Sequence, residues 1–503
     1  MNLFARRVLA IVFFGCLLMA TSCQEREGPS AAASSGDETV LDDDTADDDT
    51  AHITAPGDDT ADDDATDDDT ADDGYVPPEP SDAVGVFVAK TGDDAFPGTM
   101  AEPKLTIAAG MTAARADGKY LFVARGRYIE NVVARAPMYG GYEETAWTRD
   151  IVAYRTEIKP PTGTAVTIPV SQRAHELTVE GFAIVGPNGT ADQETTAVDA
   201  KGDGVVLRWN VIRGGGLFAT GWTAASNGAR FSLNGSVSVI ENEIVGGDIA
   251  GFGELVQTIA LGFADDISAN VINNRIRAGK AVAYGGVLSI GVEISTTQPV
   301  VLSGNTIDTE SMALSSVGVM VYTGAILVHN TIHARGAVLG EGVVYQFLLL
   351  PLTQLTLVNN IIVADQTTLR YAVVASDLLG TDRLTFVAND FSAAGAFLPV
   401  AVGTDIFTDP IDVNTCAWPL CKEAYANTGN DPLFAATGDW HLGPASPCLD
   451  TGEDPTPWAD PASWRRDIDG DARPSGDAPD IGADEYGARR GRRHPPATIA
   501  NRE

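Results

Sequence analysis

The side chains best suited to chemistry are four charged residues: Arg275, Arg277, Asp308 and His333. Arg277, Asp308 and His333 hold the same position in three successive copies of an internal repeat, so we expect them to stack on one another, with Arg275 nearby. Guanidinium groups beside a carboxylate and an imidazole could bind an acidic sugar. They could equally form a ladder of charges on a solvated face, because neighbouring strands place such side chains next to each other.

No complete catalytic set is evident, so the catalytic residues stay unknown. His329 and His333 are four positions apart, but on a strand and bend they would lie roughly 10 Å or more apart, which disfavours a shared metal ion. The run Asp467–Asp471 resembles a Ca²⁺ loop, yet Gly470 comes two residues too early for the EF-hand pattern. We therefore expect loop carboxylates held by hydrogen bonds, no cofactor and no metal, with Ca²⁺ as the alternative.

The elements that position these residues are copies of a repeat built around one asparagine. Apolar residues precede each asparagine by five and three positions, and another follows it by two. The seven asparagines are Asn210, Asn242, Asn274, Asn305, Asn330, Asn360 and Asn389. They recur at intervals of 32, 32, 31, 25, 30 and 29 residues. A registered period of this length indicates a solenoid of stacked coils.

Each asparagine is predicted to point inward at a bend. The three-residue step from the preceding apolar position requires a bend, and asparagine suits one because its short side chain tolerates left-handed backbone angles. A buried amide without a partner costs about 1–3 kcal/mol, so the seven side chains are expected to bond one another as a ladder. An earlier coil is expected to carry Phe182 in the asparagine position.

These patterns predict an all-β fold, a single-stranded right-handed parallel β-helix solenoid. The alternative is a leucine-rich repeat, in which the strand also ends in asparagine. Residues 352–362 of this chain match the consensus of that repeat. The other coils lack that consensus. The segments between strands, such as residues 214–216 and 281–291, are rich in Gly, Ala and Val and show no helical stripe.

Both ends of the repeat resemble segments of bacterial right-handed β-helix proteins. Residues 86–149 are similar to an uncharacterised N-terminal domain of those proteins, in Val86-Phe87-Val88, Gly92-Asp93, Pro97-Gly98-Thr99, the helical stretch 106–115, Gly126-x-Tyr128-x-Glu130 and Trp147-x-Arg149. The resemblance implies first strands and a short helix that caps the open end of the core. Residues 430–487 resemble the closing segment of the same families, in Trp440-His441-Leu442, Asp467-x-Asp469-Gly470 and Asp480-Ile481-Gly482.

The coil pattern also resembles the pectate-lyase-like superfamily, which suggests an enzyme that acts on polysaccharide. Such lyases need a basic side chain to remove a proton and a cation to stabilise the resulting charge. Between Phe182 and Phe391 the only lysines are Lys201 and Lys280. Asp265-Asp266 with Arg275-Ile276-Arg277 faintly resembles hydrolases of the polygalacturonase type, but the Gly-His-Gly of those enzymes is absent.

The N-terminal residues resemble a bacterial lipoprotein signal peptide. Arg6 and Arg7 precede an apolar stretch, and Ala20-Thr21-Ser22-Cys23 resembles a lipobox with Cys23 as the lipidated residue. An ordinary cleaved signal and lipidation at Cys16 are the alternatives. Residues 24–83 contain 22 acidic side chains and one arginine, so about 21 of the 36 net negative charges lie in a tether that is expected to be disordered.

Three cysteines follow Cys23 in the chain: Cys416, Cys421 and Cys448. An oxidising compartment permits a disulfide, and the Cys416–Cys421 pair is favoured, with Cys448 as the competitor. The predicted segments are a signal peptide (1–22), the acidic tether (23–83), an N-terminal cap with the first coils (84–176), the β-helix coils (177–400), a loop-rich closing segment (401–487) and a basic disordered tail (488–503).

These features together predict a lipid-anchored protein of the cell envelope, in the outer membrane and exposed to the periplasm or the surface. We expect a binding or structural module, with polysaccharide as the candidate ligand. The alternative is a polysaccharide lyase or glycoside hydrolase that acts on an acidic polysaccharide. Its partners would be the membrane through the lipid, and polysaccharide or another envelope component. The acidic composition argues against nucleic acid, and the oligomeric state stays open.

Overall fold

A computed structural model describes residues 75–487, except for 171–175, 191–193, 221–222, 254, 284–285, 310–312, 337, 347–353, 365–367, 377, 379–382, 394–395 and 437. The chain divides into two compact units, Met1–Pro78 and Glu79–Glu503. In the first unit only residues 75–78 are described, and they form no regular secondary structure. The signal peptide, Cys16, Cys23, almost all of the acidic tether and the basic tail lie outside the described residues.

The second unit is a right-handed parallel β-helix, so the predicted fold class is confirmed and the leucine-rich repeat is excluded. Each full coil crosses three long sheets in turn. Sheet A lies before the asparagine bend, sheet B lies after it, and sheet C completes the coil. Four coils add a short strand between sheets B and C, and these strands form sheet D. Pairing between successive coils is parallel until the final strands of sheets B and C, which turn back antiparallel.

Sheets A and B flank the asparagine bend. Sheet A contains β1 (Gly85–Val88), β2 (Tyr120–Ala124), β5 (Met138–Tyr142), β8 (Leu177–Glu180), β12 (Val205–Arg208), β16 (Asn234–Ile240), the second half of β19 (Leu255–Ile272), β23 (Val300–Ser303), β26 (Ala325–Val328), β29 (Gln354–Val358), β32 (Arg383–Val387) and β37 (Cys421–Tyr425). Sheet B contains β3 (Gly126–Tyr128), β6 (Thr156–Ile158), β9 (Phe182–Val185), β13 (Val211–Arg213), β17 (Glu243–Val245), β20 (Arg275–Arg277), β24 (Thr306–Asp308), β27 (Thr331–Ala334), β30 (Ile361–Ala364), β33 (Asp390–Ala393) and β34 (Ala396–Phe397).

The remaining strands complete the coils and the closing segment. Sheet C contains β4 (Val132–Val133), β7 (Val166–Ile168), β11 (Glu194–Lys201), β15 (Thr223–Ser232), the first half of β19, β22 (Gly286–Thr296), β25 (Ser315–Val321), β28 (Leu339–Gln346), β31 (Leu369–Ser376), β35 (Val400–Val402) and β36 (Asp405–Phe407). Sheet D contains β10 (Gly189–Thr190), β14 (Leu217–Ala219), β18 (Ile249–Gly251) and β21 (Ala281–Ala283). An antiparallel hairpin, β38 (Phe434–Ala436) and β39 (Asp439–Leu442), lies in the closing segment.

The core is formed by the apolar positions of the repeat. Val205 pairs with Val237 and Val237 with Ala269, in the register that the sequence period requires. The residues at positions minus five, minus three and plus two from the bends are buried in one continuous cluster. Because alternate residues of a strand face opposite sides, this register fills the interior of the coils with apolar side chains.

The seven repeat asparagines are fully buried and form one chain of hydrogen bonds. The Nδ2 of each asparagine donates to the Oδ1 of the next, over distances of 2.9 to 3.1 Å. The backbone N–H of each also donates to that same Oδ1, for example Asn274 to Asn305 at 2.8 Å. Phe182 occupies the earlier position, where its N–H donates to Asn210 Oδ1 at 3.1 Å.

The ladder continues past the repeat, into residues that the period did not reveal. Asn389 Nδ2 donates to Asn427 Oδ1 at 2.9 Å, and Asn427 Nδ2 donates to Asn414 Oδ1 at 2.8 Å. Asn427 follows Asn389 by 38 residues, because β33–β36 and the short helix α2 (Pro410–Asn414) intervene. Asn414, at the end of that helix, therefore ends the ladder with a side chain from outside the repeat.

The left-handed bend residue is not the asparagine itself, which corrects the expectation from the sequence. It is the residue just before the asparagine, with a positive φ in coil after coil: Trp209 (52°), Glu241 (53°), Asn273 (52°), Gly304 (66°), His329 (53°), Asn359 (56°) and Ala388 (49°). This residue turns the chain, and the asparagine that follows points into the core. The ladder bonds hold the bend, so residues that rarely adopt this conformation are accepted there.

The first coils carry the helix α1 (Ile107–Asp117), close to the predicted stretch 106–115. Thr106 Oγ1 accepts from Ala109 N–H, and Gly118 ends the helix in a left-handed conformation. The Glu130 carboxylate accepts from the N–H groups of Ile107 and Ala108 at 2.9 and 3.0 Å, where the helix dipole favours negative charge. The buried residues of α1, including Met111, pack into the core of the coils.

Residues 430–487 of the closing segment fold back along the coils instead of ending the stack. The segment includes the short helix α3 (Pro461–Trp464). It reaches from Asn273, whose Nδ2 donates to the Arg466 carbonyl, to Asp390, which accepts from the Asn430 N–H. Leu442 and Ile481 pack on Ile361 and Val363 of sheet B. Among the helices of the described residues, none is both long and apolar enough to span a membrane.

Candidate functional site

The four residues singled out from the sequence lie on sheet B, in the expected register. Arg277 pairs with Asp308, and Asp308 pairs with His333, on adjacent parallel strands. Arg275 lies two residues before Arg277 on β20. The stack therefore exists, but it is not the solvated face that the sequence suggested, because the closing segment covers its far half.

Arg275, Asp308 and His333 contact other parts of the protein. His333 is only 5% exposed and meets the Trp440 ring edge to face, with the ring centres 4.7 Å apart. Asp308 pairs with Arg335 at 2.5 Å, and Arg275 Nη2 donates to Asp469 Oδ1 at 3.0 Å. The interpretation of the whole stack as one open binding face is thus corrected. Of the four, Arg277 is the one left exposed to solvent.

Next to this covered region, the closing segment brings His441 among three carboxylates. Its Nδ1 contacts Asp439, and its Nε2 lies 2.5 Å from Asp469 Oδ2. Hydrogen bonding to these carboxylates raises the pKa of His441 to about 9. His441, Asp469 and Asp484 could together offer a metal three ligand atoms within 4.8 Å. Two ligand atoms bound to one small cation lie roughly 3 Å apart. The contact between His441 Nε2 and Asp469 Oδ2 is shorter than that, so it fits a hydrogen bond from a protonated imidazole better than a shared metal ion.

The open half of sheet B forms a cationic concavity of about 440 Å³, which we call the basic groove. Its charged lining residues are Lys159, Arg213, Arg277 and Lys280, with Asp248 as the one carboxylate among its lining residues. Arg213 and Arg277 lie on strands that flank β17 on either side, at equivalent positions. Two strand spacings separate their backbones by roughly 9–10 Å.

The local fold explains why these cations gather. Arg213 and Arg277 follow the asparagine bend onto sheet B, Lys159 directly follows β6 on the same sheet, and Lys280 lies at the turn that leads to sheet D. Glycines form the floor, because adjacent coils approach closely there: a Cβ on Gly214 would collide with the backbone of Gly247. The Nε of Arg213 is buried without a hydrogen-bond partner.

A carboxyl group lies beside the groove, on the central strand. Glu243 projects outward from β17, between Arg213 and Arg277 in the coil order. Burial raises the pKa of Glu243, although Arg213 and Arg277 act in the opposite direction. The site thus combines four fixed positive charges with one acid that holds its proton more firmly than an exposed glutamate does.

The repeat pattern in the sequence indicates only part of this groove. The repeat pattern identifies Arg277 as a candidate but does not connect Lys159, Arg213 or Lys280 with it. The signal was present, since Lys159 directly follows β6 and extends the column of Arg213 and Arg277 into an earlier coil. Lys280 comes from the turn before β21, whose geometry the repeat pattern does not predict.

The other candidate groups are held in separate places. Asp265 and Asp266 lie where sheet C meets sheet A and accept from Leu233 N–H and Thr297 Oγ1, away from Arg275 and Arg277 on sheet B. Asp467 Oδ1 accepts from the N–H groups of Asp469 and Asp471 at 2.9 and 2.7 Å. Hydrogen bonds from the backbone to the Asp467 carboxylate therefore organise this loop.

The histidine and cysteine candidates have structural surroundings. The His329 Nδ1 lies 2.7 Å from Arg473 Nη1, and Asn359 contacts its other nitrogen, so it shares no metal position with His333. Cys416 and Cys421 form a disulfide. Cys448 is a buried free thiol whose Sγ lies 3.8 Å from Asp390 Oδ2. Burial raises the pKa of that thiol, so it is a poor nucleophile.

Comparisons with known proteins give likenesses to solved structures. No protein family matches the chain, and no curated protein sequence does. The crystal structure of pectate lyase Pel9A is similar over 80% of this chain and 96% of that chain, with 12% identity and a TM-score of 0.45. The complex of XylC with xylose is similar over 66% of this chain and 78% of that chain, with 11% identity and a TM-score of 0.29. At these values, neither likeness supports an argument about chemistry.

Proposed function

We propose that this β-helix is a binding module for an acidic polysaccharide, and that the basic groove holds the chain of sugars. The observation that carries the proposal is the cluster of Lys159, Arg213, Arg277 and Lys280 around one concavity. The whole chain has a formal net charge of −36. A local concentration of positive charge favours an anionic ligand at the groove, against the repulsion that the net negative charge of the chain exerts on that ligand.

The geometry of the groove suits carboxylates on a polymer. Arginine can bond a carboxylate through two parallel N–H groups, and the groove offers Arg213 and Arg277 two strands apart. Lys159 and Lys280 add charge at its edges. A concavity of about 440 Å³ falls within the size range of small-molecule binding sites, so a short segment of a sugar chain would occupy it.

Binding of polygalacturonate by the full-length chain tests the proposal. Calorimetry at low salt should detect binding, and the affinity should fall as salt rises, because screening weakens the charge contacts. Replacing Arg213 and Arg277 together by glutamine should reduce the affinity at least roughly ten-fold, since hydrogen bonds to charged groups contribute about 1.5–3 kcal/mol each.

The matched control is Arg230→Gln, on sheet C. Arg230 is a half-exposed arginine that pairs with Glu194, well removed in the coil from sheet B. Its replacement should leave the affinity within about two-fold, as expected for an exposed ion pair. Equal losses from Arg230→Gln and from the groove variant would show that binding follows overall charge, and the proposal would fail.

A second candidate, a lyase or hydrolase for acidic polysaccharide, is favoured by Glu243. A carboxyl group with a raised pKa, set between two arginines, has the properties of a general acid. Incubation of polygalacturonate with the protein, with and without Ca²⁺, distinguishes the two. New unsaturated or reducing ends that disappear in Glu243→Gln would identify an enzyme, whereas an intact polymer supports the binding module.

We further propose that the protein is anchored in the outer membrane through a lipid on Cys23, and that α1 caps the N-terminal end of the β-helix. The lipobox-like residues 20–23 and the acidic segment that follows support the anchor. The packing of Ile107 and Met111 into the core supports the cap. Radioactive palmitate should label the protein in cells and should not label Cys23→Ser.

A further inference from the structure

Sheet D presents an exposed apolar strip beside the basic groove. Its strands bury Leu217 and Ile249 inward, while the intervening residues face outward. Phe218 and Val282 are 47% and 50% exposed, and Phe252, just beyond β18, is 65% exposed. The rings of Phe218 and Phe252 stand nearly perpendicular, with their centres 6.3 Å apart. We call Phe218, Phe252 and Val282 the aromatic strip.

The aromatic strip and the basic groove form one continuous surface. A second concavity of about 410 Å³ lies over part of the strip and is lined by Phe218 and Val282. Phe252 lies outside its lining and contacts it through the ring of Phe218. This concavity shares Asn188, Gly216, Asp248 and Lys280 with the groove. A ligand that fills both must therefore carry negative charge at one place and an apolar face a few ångströms away.

Exposed phenylalanines have a physical cost in isolation, since apolar surface in water is unfavourable. Phe218 on sheet D and Phe252 just beyond it, next to lysine and arginine side chains, point to a ligand with both apolar and anionic character. A pyranose ring offers such a combination, because its C–H groups form an apolar face that packs on an aromatic ring while its hydroxyls point sideways. Asp248 and Asn188, between the two concavities, are placed to accept or donate hydrogen bonds to those hydroxyls.

We propose that the aromatic strip is a stacking subsite for sugar rings of the same polysaccharide whose carboxylates bind in the basic groove. The inference rests on the proposed function and adds to it. The groove alone would accept any polyanion of suitable width. The strip makes the site selective for acidic carbohydrate, because a polyanion without an apolar face gains nothing from Phe218 and Phe252.

Two polyanions distinguish this selectivity: an oligogalacturonide, which has sugar faces, and a linear polyphosphate, which has none. In the full-length chain, Phe218→Ala with Phe252→Ala should reduce the affinity for the oligogalacturonide roughly ten-fold, within the range expected for loss of aromatic packing. The affinity for polyphosphate should change less than about two-fold. Phe218→Trp should keep the oligogalacturonide affinity, because a larger ring preserves the stacking surface.

Phe96→Ala is the matched control, since Phe96 is 38% exposed and lies in the first coils. It should leave both affinities unchanged. Unchanged oligogalacturonide affinity in the double variant would overturn the subsite while leaving the groove proposal intact. Equal loss for both polyanions would also overturn it, because the strip would then act only by shaping the groove. A native chain that binds neither polyanion would overturn the proposed function and the subsite together.

Discussion

The buried asparagine is the residue that holds one coil in register with the next. Asn274 is typical: its Nδ2 donates to Asn305 Oδ1 and to the Val239 carbonyl at 3.0 and 2.7 Å. Its Oδ1 accepts from both nitrogens of Asn242. Every side-chain polar atom is thus satisfied inside an apolar core, where an unsatisfied one would be costly.

Asn274→Ala should lower the free energy of unfolding by about 1–3 kcal/mol, because it leaves Asn242 donors and the Val239 carbonyl without partners. The shift of the urea midpoint, followed by circular dichroism, measures the effect. Lys280→Ala, an exposed change on the same coil, should stay within about 0.5 kcal/mol. Losses of similar size in the two variants would contradict a stabilising role for the ladder.

The sequence allowed the ladder positions to be predicted, but not the backbone conformation that produces them. The asparagines recur with apolar neighbours, and that pattern is visible without a structure. The preceding left-handed residue has no signature, since Trp209, Glu241 and Ala388 share no chemical property. The hydrogen bonds of the next residue impose the bend there, so local preference carries no information about it.

At the scale of elements, the closing segment determines which part of sheet B is accessible. Its contacts join residues far apart in the chain, such as Arg275 and Asp469, which are 194 positions apart. Trp440 and Ile481 follow no period that would place them on a particular coil. For this reason the sequence could not show that His333 is covered while Arg277 stays exposed.

The His441 contacts predict that attachment of the closing segment depends on pH. Asp439, Asp469 and Asp484 surround the imidazole, and Arg275 contacts Asp469. The folded state raises the pKa of His441 to about 9, above the ordinary value near 6.5. The protonated His441 therefore contributes its full stabilisation of the folded state below about pH 6.5. This stabilisation is lost as the pH rises through about 9.

Melting temperatures of the native chain and His441→Gln, measured across this range, test the linkage. The native chain should be more stable near pH 6, and the difference should shrink steadily towards pH 9 and above. His333→Gln serves as the control, because that imidazole is buried against the Trp440 ring. A difference that stays constant with pH would show that His441 acts by packing alone.

For the whole molecule, coils contact mainly their neighbours, so stability is expected to vary along the solenoid. The closing segment changes this expectation for the later coils. It bonds the coils of Asn273, His329, Asn359 and Asp390 in turn. Contacts of this kind should make those coils open together, whereas the coil of Asn210 depends on its immediate neighbours.

Hydrogen exchange followed by mass spectrometry should detect this difference. Asn210→Ala should accelerate exchange mainly in the strands next to the substitution, β8, β12 and β16. Asn330→Ala should accelerate exchange more evenly over β23 to β33, because the closing segment couples those coils. If Asn330→Ala accelerated exchange only in the strands next to residue 330, the result would contradict this coupling and would indicate that each coil opens independently.

The fold class was predictable because it depends on a repeated local pattern, whereas the candidate site was not. Val205, Leu207 and Ile212 recur in kind in every coil, and their register alone specifies the stacked sheets. Lys159, Arg213, Arg277 and Lys280 come from three different coils, with Arg277 and Lys280 on the same coil. Only the three-dimensional stacking brings them around one concavity.

The asparagine ladder has a direction, since each side chain donates towards the C-terminal end and accepts from the N-terminal end. Its two termini are satisfied by groups that do not repeat, the Phe182 N–H and the Asn414 amide. An additional coil inserted into the middle of the ladder would find an asparagine Nδ2 donor in the preceding coil and an asparagine Oδ1 acceptor in the following coil. The number of turns is thus a variable that evolution or an engineer can change in whole units, without redesigning either terminus.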